Sequence, residues 1–255
     1  MIGSTVFKIC YIHIGSPKTG TSSIQRTLYH NSEIASAAGL LYPTVQPIHL
    51  CVAAHFLDPE RTIPQGISRG MSDAKVRKQT AVQMAKLETQ IASSDAETLV
   101  LSAEHLNFLS LDGVKRLKTW IDQFAEQSRV VCYVRHPVSQ AASRVQQRVK
   151  IRALTLDQAM DPLDYYRFGE ELPAWVDTFG LDNVIVKPFE RSTLKNGDAV
   201  DDFLELAGYQ GNLDELQRVD TNPSLSAPAL MIADHLAQII PRSKLPKLKD
   251  RNGSN

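Results

Sequence analysis

Cysteine is scarce: the 255 residues hold only Cys10, Cys51 and Cys132, far apart in the chain. That spacing forms neither a disulfide framework nor a metal pattern. Cys10 and Cys132 stand in apolar runs, where a buried, reduced thiol is expected. Charge of either sign is in no excess, 28 Lys and Arg against 28 Asp and Glu. A balanced chain does not bind nucleic acid through a general field, so any anion site must be local. Long apolar runs are missing, none approaching the ~20 residues that cross a bilayer. The first residues show no basic segment leading into a long apolar one, so no secretory signal is expected. A reduced, cytoplasmic chain is the expectation. No internal repeat is visible, and the length suits one large domain or two small ones with a substantial core.

What is present is concentrated between Phe7 and His30, FKICYIHIGSPKTGTSSIQRTLYH. Phe7, Ile9, Tyr11, Ile12 and Ile14 make an apolar run of strand length, rich in β-branched and aromatic residues. Gly15 and Pro17 break it and Gly20 permits a tight turn. Thr21, Ser22 and Ser23 then open a helix with Ile24, Thr27 and Leu28 on one face. Small hydroxyl residues and a glycine at a helix N-terminus leave N–H groups pointing at an anion, and the helix dipole favours the same charge. The stretch reads as a phosphate cradle. A Walker A loop would place lysine directly after the second glycine. Here Gly15 and Gly20 have the Walker spacing, but Thr21 stands in the lysine position and the lysine is Lys18, inside the loop.

Further along, buried strands alternate with helices. Residues 31–41 continue or follow the first helix, with Gly39 as a stop. Residues 43–70 are irregular, punctuated by proline and glycine, a length that in a compact domain is functional or disordered. Helical spacing runs over 72–93 and 111–127, and buried strands over 97–102, 129–134 and 183–187. Pro137 opens a helix to Arg152, where proline is tolerated. A mixed segment, 154–180, holds Tyr165, Tyr166, Phe168 and Trp175. Helices over 198–207 and 226–239 follow. This pattern predicts an α/β fold with a central parallel sheet and helices on both faces. One domain is expected over 1–240, with a polar, poorly ordered tail over 241–255. Ligands of such sheets bind at the carboxyl ends of the strands, and Lys18, Glu104 and Arg135 each follow a strand end.

The string PKTGTSS after a buried strand resembles the 5′-phosphosulfate loop of the sulfotransferases that use 3′-phosphoadenosine 5′-phosphosulfate (PAPS). A second match is YVRHPVSQAAS: in that family an arginine at a strand end and a serine eight residues on hold the nucleotide 3′-phosphate, here Arg135 and Ser143. Guanidinium offers a fork of donors to phosphate oxygens and the hydroxyl closes one more. Asn222-Pro223-Ser224-Leu225-Ser226 is similar to a stretch before the last helix of bacterial, carbohydrate-type members. The R-K-G segment of the small-molecule branch has no counterpart, which favours the bacterial or carbohydrate branch. The resemblance implies a P-loop-like sulfotransferase fold and the donor PAPS, with PAP as product and no metal. It also implies donor-binding roles for Lys18, Thr19, Gly20, Thr21, Ser22, Ser23, Arg135 and Ser143.

Sulfuryl transfer is an in-line displacement in which positioning and charge stabilisation carry the catalysis. Lys18 would meet the negative charge building on the departing phosphate, with the N–H groups of residues 19–23 around it. The acceptor, a hydroxyl or amine, needs a base on the far side of the sulfur. Glu104 is preferred and His105 is its rival, with Glu33, His30 and His13 behind them. Residues 43–70 and 154–180 would wall an acceptor pocket for a carbohydrate or lipid-linked acceptor. Two other readings stand beside this one: a P-loop small-molecule or nucleoside kinase, which would depend on magnesium, and a non-catalytic nucleotide-binding protein.

Overall fold

The structure is a computed structural model and describes residues 7–68, 70–152, 154–160, 168–219 and 225–240. In chain order the elements are β1 (Phe7–His13), α1 (Thr21–His30), α2 (Ser32–Ala37), β2 (Leu40–Leu41), α3 (Leu50–Phe56), α4 (Gln65–Ser68), α5 (Asp73–Ala92), β3 (Thr98–Ser102), α6 (Leu111–Ile121) and β4 (Ala125–Val134). After them come α7 (Pro137–Arg152), α8 (Leu156–Met160), α9 (Phe168–Phe179), β5 (Val184–Pro188), α10 (Ala199–Leu206) and α11 (Ala227–Ile239). The chain divides into two compact units, one from residues 1–135 with 167–221, the other from 136–166 with 222–255. Among the described residues no helix is long and apolar enough to cross a membrane.

The first unit holds a five-stranded sheet in the order β2-β3-β1-β4-β5, parallel throughout. Alternation along the strands sends neighbours to opposite faces. Cys10, Ile12, Leu99, Leu101, Val130 and Cys132 join one core with Val52, Leu87, Leu117 and Trp175, from α3, α5, α6 and α9. Tyr11, Val100, Val131 and Tyr133 join the other, with Ile24 and Leu28 of α1 and Val200 and Phe203 of α10. A parallel sheet covered on both faces explains why its strands read as continuous apolar runs. β1 is central, pairing His13 with Ser102 on one side and with Val131 on the other. The segments leaving β1, β3 and β4 therefore emerge at one edge.

Three local expectations are corrected. The helical pattern over 111–127 ends at Ile121, and Ala125–Gln127 begin β4, paired with Phe7 and Ile9. Ladder hydrogen bonds to β1 and burial of Ala125 override the local period. Leu40 and Leu41 form a short edge strand against β3 rather than a helix end. The irregular 43–70 stretch contains α3, whose LCVAAHF is buried at every position but His55. A helix buried nearly all round shows no amphipathic period to read. The tail expected over 241–255 lies outside the described residues.

Among its described residues the second unit holds α7, α8 and α11. Arg148 donates to the Ala159 carbonyl at 2.8 Å, and the N–H of Leu156 donates to Asp234 at 2.6 Å.

In the first unit one buried carboxylate fastens α10 to the sheet. Asp202, 2% exposed, accepts from Tyr133 Oη of β4 at 2.7 Å, from Lys187 Nζ of β5 at 2.7 Å and from the Lys195 N–H at 3.0 Å. Between β1 and α1 the backbone enters the left-handed region twice, at Lys18 (φ 70°) and Gly20 (φ 73°). At Gly20 a Cβ would also lie 2.9 Å from Ala199 and 3.0 Å from Phe189, so only glycine fits. Lys18 has no such excuse, and a non-glycine residue there costs about 1–2 kcal/mol.

Two stability outcomes follow from these contacts. Asp202→Ala strands the Lys187 charge and should cost about 3–5 kcal/mol in urea unfolding, against about 1.5–3 kcal/mol for Tyr133→Phe. Lys18→Gly should fold about 1 kcal/mol more stably than Lys18→Ala, since both lose the side chain and only glycine relieves the left-handed strain. Equal stabilities for the two Lys18 variants would show the strain to be absent.

Candidate active site

The site begins where β1 ends. The Ile14 N–H donates to the Val131 carbonyl at 3.0 Å and the Ala103 N–H to the His13 carbonyl at 3.1 Å, tying three strand ends together. Thr19 and Thr21 are buried, and both hydroxyls turn back to the Ser16 carbonyl, at 2.6 and 3.3 Å. They shape the loop from within. Lys18 is half-buried, while Ser22 is exposed at the first turn of α1, where N–H groups lack intrahelical partners. The Ser23 N–H is different: it returns to the Gly20 carbonyl at 2.9 Å. The anion-facing amides expected over 19–23 therefore narrow by one, because α1 tightens its first turn.

Beneath the loop lies a buried polar chain. Gln25 Nε2 donates to Ser102 Oγ at 3.0 Å, and Ser102 Oγ lies 2.8 Å from His13 Nδ1. His49 Nδ1 accepts from the Ser102 N–H at 3.0 Å, and its Nε2 lies 2.7 Å from the Pro43 carbonyl. Burial pushes His13 down to about 3 and His49 down to about 4, so both imidazoles are neutral at physiological pH. His13 is wholly buried and its Nε2 has no hydrogen-bond partner among the described residues. A Cβ on Gly15 would lie 3.1 Å from that nitrogen and closer still to Thr21 Oγ1, which is why the loop opens with glycine. His13 is sealed under the loop, out of reach of an acceptor.

The corner after β3 is a turn of 3-10 helix, Glu104–Phe108. Burial raises the Glu104 carboxyl above its ordinary value of 4.5, and the Lys18 charge opposes that rise. The two sequence candidates are thus electrostatically coupled. His105 stands next to it with its ring edge-on to Phe108, centroids 5.7 Å apart. His30 and Glu33 are exposed; His30 lies in the last turn of α1, roughly 13 Å along the helix axis from the loop, and Glu33 in the first turn of α2.

On the other side of β1, Arg135 follows β4 directly. Its Nη1 donates to the Lys18 carbonyl at 3.2 Å, and its guanidinium lies 5.7 Å from the centre of the Phe189 ring. The first unit thus brings Lys18, Glu104 and Arg135 to one edge. Ser143 lies in the second unit, on α7. Asn222–Ser224, Tyr165 and Tyr166, with the Phe168 side chain, lie outside the described residues. Two contributors escaped the sequence reading. Asn107 Nδ2 donates to the Gly15 carbonyl at 3.2 Å and braces the loop from the Glu104 corner. Phe189 packs on both Gly20 and Arg135. It directly follows β5, so the strand-end rule would have found it; nothing local marks Asn107. Among the described residues no three His, Cys, Asp or Glu side chains cluster to hold a metal.

No protein-family model matches the chain. A protein of Archaeoglobus fulgidus, described as uncharacterized, is 23% identical over 128 residues, 50% of this chain and 35% of its own length. The chain thus spans about a third of that relative. Among solved structures, the sulfotransferase from Alicyclobacillus acidocaldarius superposes with a TM-score of 0.53 at 18% identity, over 92% of this chain and 93% of that one. The sulfotransferase domain from the curacin biosynthetic pathway has a TM-score of 0.41 at 12% identity, over 96% and 95% of the two chains. At 18% identity the first likeness is one of fold, and it extends over nearly the whole chain. The order of strands, the loop after the central strand and this superposition together identify the architecture as the P-loop-like α/β fold of the sulfotransferases.

Proposed function

We propose that the chain transfers a sulfuryl group from PAPS to an acceptor hydroxyl or amine, releasing PAP. One observation carries the reading. The PKTGTSS loop follows the central strand, and Arg135, from the end of the adjacent strand, donates to the Lys18 carbonyl in the middle of it. The two stretches that sequence alone marks as anion-binding are thereby joined by a hydrogen bond.

In this proposal the first-turn amides of α1 and the Lys18 ammonium hold the 5′-phosphosulfate, and the Arg135 guanidinium holds the 3′-phosphate. Thr19, Gly20 and Thr21 keep the loop in shape, and Ser22 and Ser23 stand at the helix opening. As the S–O bond to the departing phosphate breaks, Lys18 stabilises the charge that appears on the bridging oxygen. Glu104 accepts the proton of the attacking hydroxyl, with His105 as the rival base. Burial raises the Glu104 carboxyl, which makes it a stronger base than an ordinary carboxylate. The proposed acceptor is a hydroxyl of a carbohydrate or glycolipid.

PAP without metal should raise the melting temperature. At 100 times its dissociation constant the stabilisation is about 2.7 kcal/mol, on the order of 5–10 °C for a chain of this size. Arg135→Ala should abolish the advantage of PAP over ADP. A shift seen only with ATP and magnesium would overturn the reading in favour of a kinase.

Glu104→Gln should lower kcat by about 10²–10⁴-fold while PAP still binds, and His105→Asn should retain most activity. A base works deprotonated. The acid limb of wild-type kcat/KM should therefore rise through a pH above the ordinary 4.5, in the direction burial pushes Glu104. The opposite ranking of the two variants would move the role to His105.

A further inference from the structure

We infer that Phe189 is a positioning residue: it fixes the Arg135 guanidinium against the loop and so sets the preference for a nucleotide with a second phosphate. The inference rests on the transfer reading above and names what makes that site selective.

Strand register puts the two residues together. Val134, the last residue of β4, pairs with Pro188, the last of β5, so Arg135 and Phe189 leave the sheet side by side. The Phe189 N–H donates to the Val134 carbonyl at 2.7 Å, one residue before the arginine. On its other side the chain closes into a turn. Thr193 Oγ1 shares its hydrogen between the carbonyls of Pro188 and Glu190, at 3.0 and 2.9 Å, and the Leu194 N–H donates to the Glu190 carbonyl at 3.1 Å. The Phe189 side chain is half-buried and packs against the core on the α1 and α10 face of the sheet. Strand, turn and core together keep the ring in place.

Arg135 is restrained by that ring and by the loop at once. Its guanidinium lies 5.7 Å from the ring centre, inside the roughly 6 Å reach of a cation–π contact. One of its N–H groups donates to the Lys18 carbonyl at 3.2 Å. The same ring abuts Gly20 in the loop, where a Cβ would lie 3.0 Å from it. Lys18, Gly20, Phe189 and Arg135 therefore form a closed circuit of contacts, and the arginine takes its position from the loop. Burial lowers the Arg135 guanidinium from its ordinary value, the mark of a cation that has lost hydration. The ring and the carbonyl replace part of that hydration and leave the charge whole.

Such a restraint acts on selectivity. A long side chain that is free to rotate loses that freedom when it grips a phosphate, and one already held loses less. The fork also takes a phosphate through two donors only along its own plane, and the ring sets that plane. In the transfer reading a nucleotide with one 5′-phosphate engages the loop alone. One with a further phosphate at the 3′ position also meets the fixed fork. Removing the aromatic face leaves the loop and the positive charge in place and takes away the restraint.

The test is calorimetric titration with PAP and with AMP, which lacks only the 3′-phosphate. The wild type should bind PAP about 10- to 150-fold tighter than AMP, the range for hydrogen bonds to a charged group. Phe189→Leu keeps an apolar side chain beside Gly20 and loses the aromatic face. It should weaken PAP about two- to thirtyfold, while AMP stays within about twofold. Phe189→Tyr, which keeps the ring, should retain the preference, and Phe189→Met takes the place of the leucine variant if that one does not fold. In an Arg135→Ala background Phe189→Leu should change PAP binding by less than about twofold, because its effect runs through the arginine. Equal losses for PAP and AMP, or a loss that persists in Arg135→Ala, overturn the inference and leave the transfer reading standing. A wild type that binds PAP no tighter than AMP overturns the 3′-phosphate assignment in that reading, and the inference with it.

Discussion

Everything at the active edge depends on β1 being paired in parallel on both sides. His13 stands opposite Ser102 and Val131, so the chain leaves β1, β3 and β4 at one edge, and only there. Parallel strands need a crossover each, and the crossovers put helices over both faces. The sheet is therefore dry, its strands cannot slip by a residue without exposing apolar side chains, and the loop ends inherit that rigidity. A one-residue shift would carry Glu104 or Arg135 to the wrong face.

Beneath the loop, the fold keeps polarity without charge. Gln25, Ser102, His13 and His49 form a buried chain in which both imidazoles are held neutral by desolvation. Lys18 and Arg135 bring positive charge to the loop itself, joined by the hydrogen bond from Arg135 to the Lys18 carbonyl. In a chain with 28 positive and 28 negative side chains, the anion site proposed here would be a local arrangement that draws nothing from the net field. Strain is stored at the same place: Lys18 holds a left-handed backbone. Such strain persists only where surrounding contacts over-determine it, and it concentrates at functional sites.

The far side of the sheet is fastened by a different device. Asp202 gathers donors from β4, β5 and the turn before α10, so the helix that carries it cannot drift from the strand that delivers Arg135. Phe189 then fills the space between Gly20 and the Arg135 guanidinium. Site geometry and fold stability rest here on the same contacts. Weakening Asp202 loosens the platform on which the arginine stands.

By itself, the amino-acid order determined the parallel α/β class, the strand–loop–helix at Phe7–His30 and the strand-end positions of Lys18, Glu104 and Arg135. Apolar runs of strand length, breakers and the positions of hydroxyl and basic residues are local signals, and locality is what a sequence displays. Three things were decided only by the tertiary structure. Strand pairing overrode the helical period at Ala125–Gln127, because ladder bonds to β1 outweigh a weak local preference. Burial on all sides hid α3, since a helix without a polar face has no periodic mark. Asn107 and Gln25 took their places through partners 92 and 77 residues away, distances over which no local pattern reaches. The strand ends that carry Lys18, Glu104 and Arg135 were legible, and the buried scaffold that holds them was not, because hydrogen bonds between distant segments exist only once the chain has folded.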